Sequence, residues 1–291
     1  MRRHASTLLL IASTTLLNTP ARAESGDQPA HVFRGPTILT VSHGEIADAD
    51  LVVHGGKIIA LGKRGQVEIP DGATVHDATD RVIIPGLVDT HSHIGIYPRP
   101  SIDAHSDGNE MTGAVQSGIR ALDAIWPGDP GIRMAVAGGV TTANIMPGSG
   151  NAIGGQTLYV KLRGNSIEQM MFTPGRPEGG LKMANGENPK RSYGPKNQPP
   201  GTRMRLAAMQ REQFVKAREY QRKWQAYRDA EAKGDEKNPP QPERDLAMET
   251  LVEVLERKRT VHFHSHRADD IMTVLRLADE FGFEVVLQHG T

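Results

Sequence analysis

The chain has 291 residues, and its 34 lysines and arginines balance 34 aspartates and glutamates, which removes the electrostatic case for binding nucleic acid or an anionic membrane surface. With no cysteine there are no disulfides, thiolate zinc sites or cysteine nucleophile, so a metal would have to be held by histidine, carboxylate or a modified lysine. Aromatic residues at 4% argue against stacking platforms for bases or sugars, while 37% hydrophobic content with 31 glycines and 19 prolines suits a loop-rich globular α/β protein.

Residues 1–23 have the layout of a secretory signal peptide. Arg2 and Arg3 give a basic start, Leu8 to Leu17 an apolar stretch, and Ala21-Arg22-Ala23 a small-x-small cleavage site. Ser13, Thr14 and Thr15 interrupt the apolar stretch, which falls short of the roughly 20 residues that cross a bilayer. The expectation is an exported protein, periplasmic or secreted, with no membrane span in the mature chain. The missing cysteines fit an oxidising compartment.

Residues 24–81 read as a small β-domain. Asp50 to Val53 meets Lys57 to Leu61 across His54-Gly55-Gly56, a hairpin signal, and further runs follow at Gln66–Ile69 and Ala73–Val75. From residue 82 the grammar changes to buried strands alternating with helices. Val82 to Asp89 is a near-continuous apolar run, as expected of a strand covered on both faces. Similar runs recur at Gly139–Met146, Thr157–Leu162, Gly180–Ala184, Thr260–His264 and Glu284–Gln288, making six candidate strands. Ala268 to Phe281 is the clearest helix, with Ile271, Val274, Leu275, Ala278 and Phe281 on one face and Gly282 as its stop. This alternation predicts a parallel sheet, barrel or doubly wound.

A helical insertion, residues 185–258, interrupts the alternation. Asn188 to Gly201 is expected to be loop, and Thr202 to about Lys233 a charged helix. Phe214, Ala217, Tyr220, Trp224 and Tyr227 recur along it at spacings of three and four, which reads as a packing face rather than a substrate pocket. Prolines at 239, 240 and 242 precede another helix, Glu243 to Arg257.

The twelve histidines are not scattered. Three His-x-His pairs occur, His91/His93, His262/His264 and His264/His266, all at the ends of expected strands. Alternation puts both members of a pair on one face, where two neutral imidazoles can hold one divalent cation. His289 closes the next strand, so three strands finish in histidine, and His91, His93, His264 and His289 form a candidate ligand set. His31, His43, His54, His76 and His105 read as ordinary core or surface residues.

Lys182 lies in the short apolar run Gly-Leu-Lys-Met-Ala. A buried lysine is costly unless paired or neutralised. Carboxylation by carbon dioxide would make it an anionic oxygen ligand; a surface or salt-bridged lysine is the plainer alternative. Pro147 to Gly155 mimics a phosphate loop but fits neither established glycine pattern, and the basic stretch Lys182 to Lys196 reads as solvated loop.

Pro85-Gly86-Leu87-Val88-Asp89-Thr90-His91-Ser92-His93 resembles the signature of the amidohydrolase superfamily. Val261 to Ile271 and Leu287-Gln288-His289-Gly290-Thr291 look like its imidazolonepropionase-like branch. The resemblance implies a (β/α)8 TIM-type barrel fused to a small β-sandwich-like domain. It implies that His91 and His93 bind one metal ion, usually zinc, and that His264 and His289 bind a second, so one or two ions in all. Lys182 matches the position of a carboxylated lysine, and His266 would either support the ligands from behind or contact substrate. The family chemistry is metal-assisted hydrolysis, in which an aspartate after strand eight moves the proton.

That aspartate is expected to lie beyond Thr291, because only six strands are counted. The expectation is therefore an N-terminal fragment of an exported, metal-dependent amidohydrolase that cleaves a C–N bond in a cyclic amide, an N-acyl amino acid or a dipeptide. The competing reading is a catalytically inactive remnant that binds metal or a partner. The expected partner is a small-molecule substrate, with no nucleic acid; assembly into a homo-oligomer stays open.

Overall fold

The computed structural model describes residues 28–172, 179–234 and 239–291. The segment read as a signal peptide, residues 1–23, lies outside the described residues. Among the described residues no helix is long and apolar enough to cross a membrane. The chain divides into two compact units between Pro85 and Gly86.

The first unit holds seven short strands among its described residues: β1 (His31–Arg34), β2 (Thr37–Leu39), β3 (Glu45–Ile46), β4 (Ala49–His54), β5 (Lys57–Lys63), β6 (Thr74–Asp77) and β7 (Val82–Ile83). They form two sheets, ordered β5-β4-β1-β6 and β3-β2-β7. The β4–β5 hairpin turns on Gly55 and Gly56, both at positive φ, as a tight two-residue turn between twisted strands requires. Gln66–Ile69 is not a strand, yet Val67 and Ile69 pack on Val32 and Val52.

The second unit contains β8 (Leu87–Ser92), α1 (Pro130–Ala137), β9 (Val140–Ile145), β10 (Ile153–Gln156), β11 (Leu158–Lys161), α2 (Ile167–Met170), β12 (Leu181–Ala184), α3 (Glu187–Tyr193), α4 (Arg203–Lys233), α5 (Leu246–Leu255), β13 (Val261–Ser265), α6 (Ala268–Phe281) and β14 (Val285–His289). Its strands make two sheets, β11-β9-β8 and β10-β12-β13-β14. Within them β8–β9, β12–β13 and β13–β14 run parallel. This is the mixed α/β architecture expected of a TIM-like fold.

Two strand assignments need correction. The run Val82 to Asp89 is two strands, because Pro85 lacks a ladder N–H and Gly86 sits so close to Thr141 that a Cβ there would collide with its side chain. Thr157 to Leu162 is no parallel barrel strand. Only Thr157 separates β10 from β11, far short of a parallel crossover, and β11 pairs antiparallel with β9. Five strands of the second unit therefore carry the parallel pairing. β10 itself, antiparallel to β12, comes from the end of the glycine-rich stretch read as loop.

The helices follow the sequence more closely. Thr202 caps α4, its hydroxyl accepting from the Arg205 N–H, and Gly234 ends the helix at φ 65°. Asp245 caps α5 in the same way, and Gly282 closes α6 at φ 77°. Along α6 the buried stripe is Asp270, Val274, Leu277 and Phe281, whereas Leu275 is exposed. The segment 188–201, read as loop, instead forms most of α3 and buries Tyr193.

Phe214 and Ala217 of α4 enter the main core with Leu181, Met183, Phe263 and Val274, so the front of the aromatic stripe is packing surface. Phe214 stacks on Phe281 and Phe283 at centroid distances of 5.1 and 4.9 Å. Truncating a fully buried phenylalanine removes its transfer energy and leaves a cavity. We therefore expect Phe214→Ala to lose about 3–5 kcal/mol in a urea unfolding titration; a loss well under 1 kcal/mol would place the ring outside the core.

Candidate metal centre

β8, β12, β13 and β14 deliver the histidines and Lys182 to one place. Register pairs Lys182 with His262 and Ala184 with His264, so Lys182, His262 and His264 share a face across β12 and β13. On β14 the residue opposite His264 is Gln288, not His289. Strict alternation would send His289 to the other face; its backbone at φ 76° turns the ring back into the cluster. His91–His289, His264–His289 and His264–His266 centroids are each 4.7 Å apart, and His266 stacks on His289 at 5.2 Å. All six sequence-derived site residues, His91, His93, Lys182, His264, His266 and His289, thus fall together.

His91 and His93 present Nε2 atoms 3.3 Å apart. Their other nitrogens are engaged: His91 Nδ1 lies 2.8 Å from Gln288 Oε1, and His93 Nδ1 lies 2.7 Å from the Met146 carbonyl. The Met146 carbonyl draws the His93 proton to Nδ1 and bares its Nε2, and Gln288 with Oε1 turned to His91 does the same there, the state a metal ligand requires. The 3.3 Å gap is also the edge of a tetrahedron whose corners lie about 2.0–2.1 Å from a central ion.

His264 is differently engaged. Asn188 Nδ2 lies 3.1 Å from its Nε2, and Ser149 Oγ lies 2.9 Å from its Nδ1. Its Nε2 lone pair is covered by an amide in this arrangement. Among the described residues no group of three or more His, Cys, Asp or Glu is arranged to hold a metal ion. The donor set fits a cation at the His91–His93 pair, with Lys182 Nζ 3.4 Å from His91 Nε2.

Burial dominates the electrostatics. It draws His91 and His262 down to about 4 and His264 to about 3, with neighbouring Lys182 or imidazole charge adding to the effect. His93 and His289 shift the same way for the same leading cause. Lys182 is fully buried against His91 Nε2 and Met146 Sδ, with no carboxylate partner among the described residues, and burial draws its amine down to about 7. The cluster is therefore neutral at mildly alkaline pH, which suits it to receive a cation.

Several residues around the cluster were not read from the sequence: Gln288, Met146 through its carbonyl, Asn144, Ser149 and Asn188. Gln288 could have been found, since it stands on the inward phase of β14 once the register with β13 is known. The Met146 carbonyl gives no side-chain signal. His31 and His76 bond each other in the first unit, and His105 stacks on Trp126 at 4.4 Å, so these rings stay outside the cluster.

No family model matches the sequence. The chain is 32% identical over 251 residues to Amidohydrolase tasK of Hapsidospora irregularis, an alignment covering 82% of this chain and 26% of that protein. The crystal structure of an amidohydrolase from Thermotoga maritima MSB8 superposes with a TM-score of 0.81 at 39% identity, covering 90% of this chain and 64% of that one. The chain belongs to the amidohydrolase superfamily. A dihydroorotase from Caldicellulosiruptor saccharolyticus is also similar, 24% identical over 145 residues that cover 49% of this chain and 28% of that protein. This amidohydrolase-superfamily chain thus spans about a quarter of the tasK protein and less than two thirds of the Thermotoga chain.

The lowered histidine values set a sign for stability against pH. Unfolded imidazoles titrate near about 6.5, so below that the unfolded chain takes protons that the buried rings refuse. Stability is full above about 6.5 and is lost as pH falls toward the folded values near 4. The thermal midpoint of the metal-free chain is expected to fall between pH 7.5 and 5.5, a window in which exposed carboxylates stay ionised; a flat profile there would contradict the burial of these rings.

Proposed function

We propose that this chain carries the divalent-metal centre of a hydrolase that cleaves a C–N bond, with a cyclic amide, an N-acyl amino acid or a dipeptide as substrate class. The His91–His93 pair carries the reading: two Nε2 atoms 3.3 Å apart, each ring tied at Nδ1. The relatives named amidohydrolase and dihydroorotase support C–N hydrolysis. A bound zinc ion would supply Lewis acidity, polarising the amide carbonyl and lowering the pKa of a water toward about 7.

The chain's own residues do the positioning. His91 and His93 would hold the ion through Nε2, with Gln288 and the Met146 carbonyl orienting the rings at Nδ1. Lys182, neutral above about pH 7, is in the form that adds carbon dioxide through nitrogen and loses one proton, giving a carbamate oxygen beside His91. His264 and His289 would hold a second ion, His264 after Asn188 releases its Nε2. His266, stacked on His289, would border the substrate. No aspartate of this chain is assigned as the proton shuttle.

The proposal includes export, supported by the basic, apolar and small-residue order of residues 1–23. It also includes a longer barrel. Leu87 and Val88 on β8 and Val286 and Leu287 on β14 are exposed, and each of these strands has one hydrogen-bonded neighbour strand among the described residues, as edges awaiting cover would. A second reading, a metal- or partner-binding scaffold without hydrolysis, is favoured by the lack of a three-ligand group among the described residues.

Zinc at a hundred times its Kd is expected to stabilise the chain by about 2.7 kcal/mol. Calorimetric zinc binding at the His91–His93 site should vanish in His91→Ala/His93→Ala; an unchanged isotherm in that variant would overturn the assignment. Against dipeptides and cyclic amides, activity lost on chelation and restored by zinc supports the hydrolase. Metal retained without any hydrolysis favours the scaffold, and activity unchanged after complete metal removal overturns the metal mechanism.

A further inference from the structure

His262 carries no role in the centre described above, yet it is buried directly beneath it, in register with Lys182 on β12 and Val286 on β14. Both of its ring nitrogens face side-chain amides. Gln288 Nε2 lies 3.1 Å from Nδ1, and Asn144 Nδ2 lies 3.1 Å from Nε2, with the Tyr159 hydroxyl 3.4 Å from the same atom. The other end of Gln288 is the Oε1 that faces His91 Nδ1 at 2.8 Å. A neutral imidazole has one N–H and one lone pair, so it cannot accept from both amides. One nitrogen must therefore carry its N–H toward an acceptor, an amide oxygen or, at Nε2, the Tyr159 hydroxyl. Asn144 Oδ1 is meanwhile buried without a partner among the described residues.

Two arrangements satisfy the chain of bonds. In the first, Gln288 Oε1 accepts from His91 Nδ1–H and Gln288 Nε2 donates to His262 Nδ1. His262 then carries its proton on Nε2, and Asn144 turns so that its orphaned oxygen accepts it. His91 Nε2 is left as a bare lone pair. In the second, Gln288 is turned over, donating to His91 Nδ1 and accepting from His262 Nδ1–H, while Asn144 Nδ2 donates to His262 Nε2. His91 now carries its proton on Nε2 and can donate it across 3.3 Å to His93 Nε2, whose own proton sits on Nδ1 against Met146. Only the first arrangement leaves His91 able to ligate a metal.

We infer that Gln288 locks His91 and His262 into complementary tautomers, so that an ion on His91 sets the proton position on a histidine it does not touch. The lock stands on the bond geometry alone; its coupling to metal rests on the function proposed above. His262 and Gln288 are positioning residues, acting through His91.

The test is long-range proton–nitrogen NMR on the full chain with 15N-labelled histidines, at pH 7.5, metal-free and with one equivalent of zinc. Without metal, wild type should show complementary pairs only: Nε2–H on His91 with Nδ1–H on His262, the reverse, or a mixture of the two. With zinc, only Nδ1–H on His91 with Nε2–H on His262 should remain. Gln288→Glu presents acceptors to both rings, so it should release the lock and put Nδ1–H on both. It should also keep zinc affinity, whereas Gln288→Ala should weaken zinc about tenfold or more. Wild type showing Nδ1–H on both rings, zinc-loaded chain keeping Nδ1–H on His262, or Gln288→Glu behaving as wild type would each overturn the lock. Failure of zinc to bind overturns the metal centre instead, while the metal-free pair still judges the lock.

Discussion

Two imidazole nitrogens held 3.3 Å apart are the constraint on which the rest of this site depends. With both lone pairs facing each other such a pair is unfavourable without a cation, and the nearest donor is the Lys182 amine, 3.4 Å from His91 Nε2. The surroundings hold it in place. Gln288 and the Met146 carbonyl anchor the far side of each ring, and burial keeps the rings neutral by penalising their charged forms. Lys182 obeys the same logic, since its amine is buried with sulfur and imidazole rather than a carboxylate for company. A cluster of bases kept neutral by desolvation is arranged to receive positive charge.

The helical insertion takes part in this arrangement. Gln210 on α4 donates to the carbonyls of Ala152 and Ala184, each at 3.0 Å, and so ties the loop after β9 to the end of β12. That loop carries Ser149, which contacts His264, and follows Met146, which anchors His93. Asp270 on α6 pairs with Arg203 at the start of α4, joining two helices that pack into the same core. The charged helix whose aromatic stripe reads as a packing face in sequence therefore also steadies the loop beside the centre.

Helices were the most legible part of the chain, because their stops and caps are written in single residues such as Thr202, Asp245 and Gly282. The convergence of His91, His93, His264 and His289 was also legible from their place at strand ends, whereas Lys182 and His266 were marked by the family resemblance. Strand partners were less so. An apolar run does not say whether its neighbour is parallel, and Thr157 to Leu162 carries no mark of its antiparallel pairing with β9. Val82 to Asp89 hid a break because Pro85 and Gly86 are compatible with either a bend or a strand end. His289 reached the cluster by a left-handed backbone that alternation does not foresee, and Gln288 took the inward position instead. Amide and carbonyl anchors leave no signature in composition or spacing, so the residues that orient the ligands emerged only with the register.

The central claim is that His91 and His93 share one cation, and its most direct measurement is anomalous scattering at the zinc edge from crystals of the zinc-loaded chain. The account predicts a strong peak about 2.0–2.1 Å from both Nε2 atoms. A peak bound elsewhere, with the two Nε2 atoms still facing each other unliganded, would contradict it.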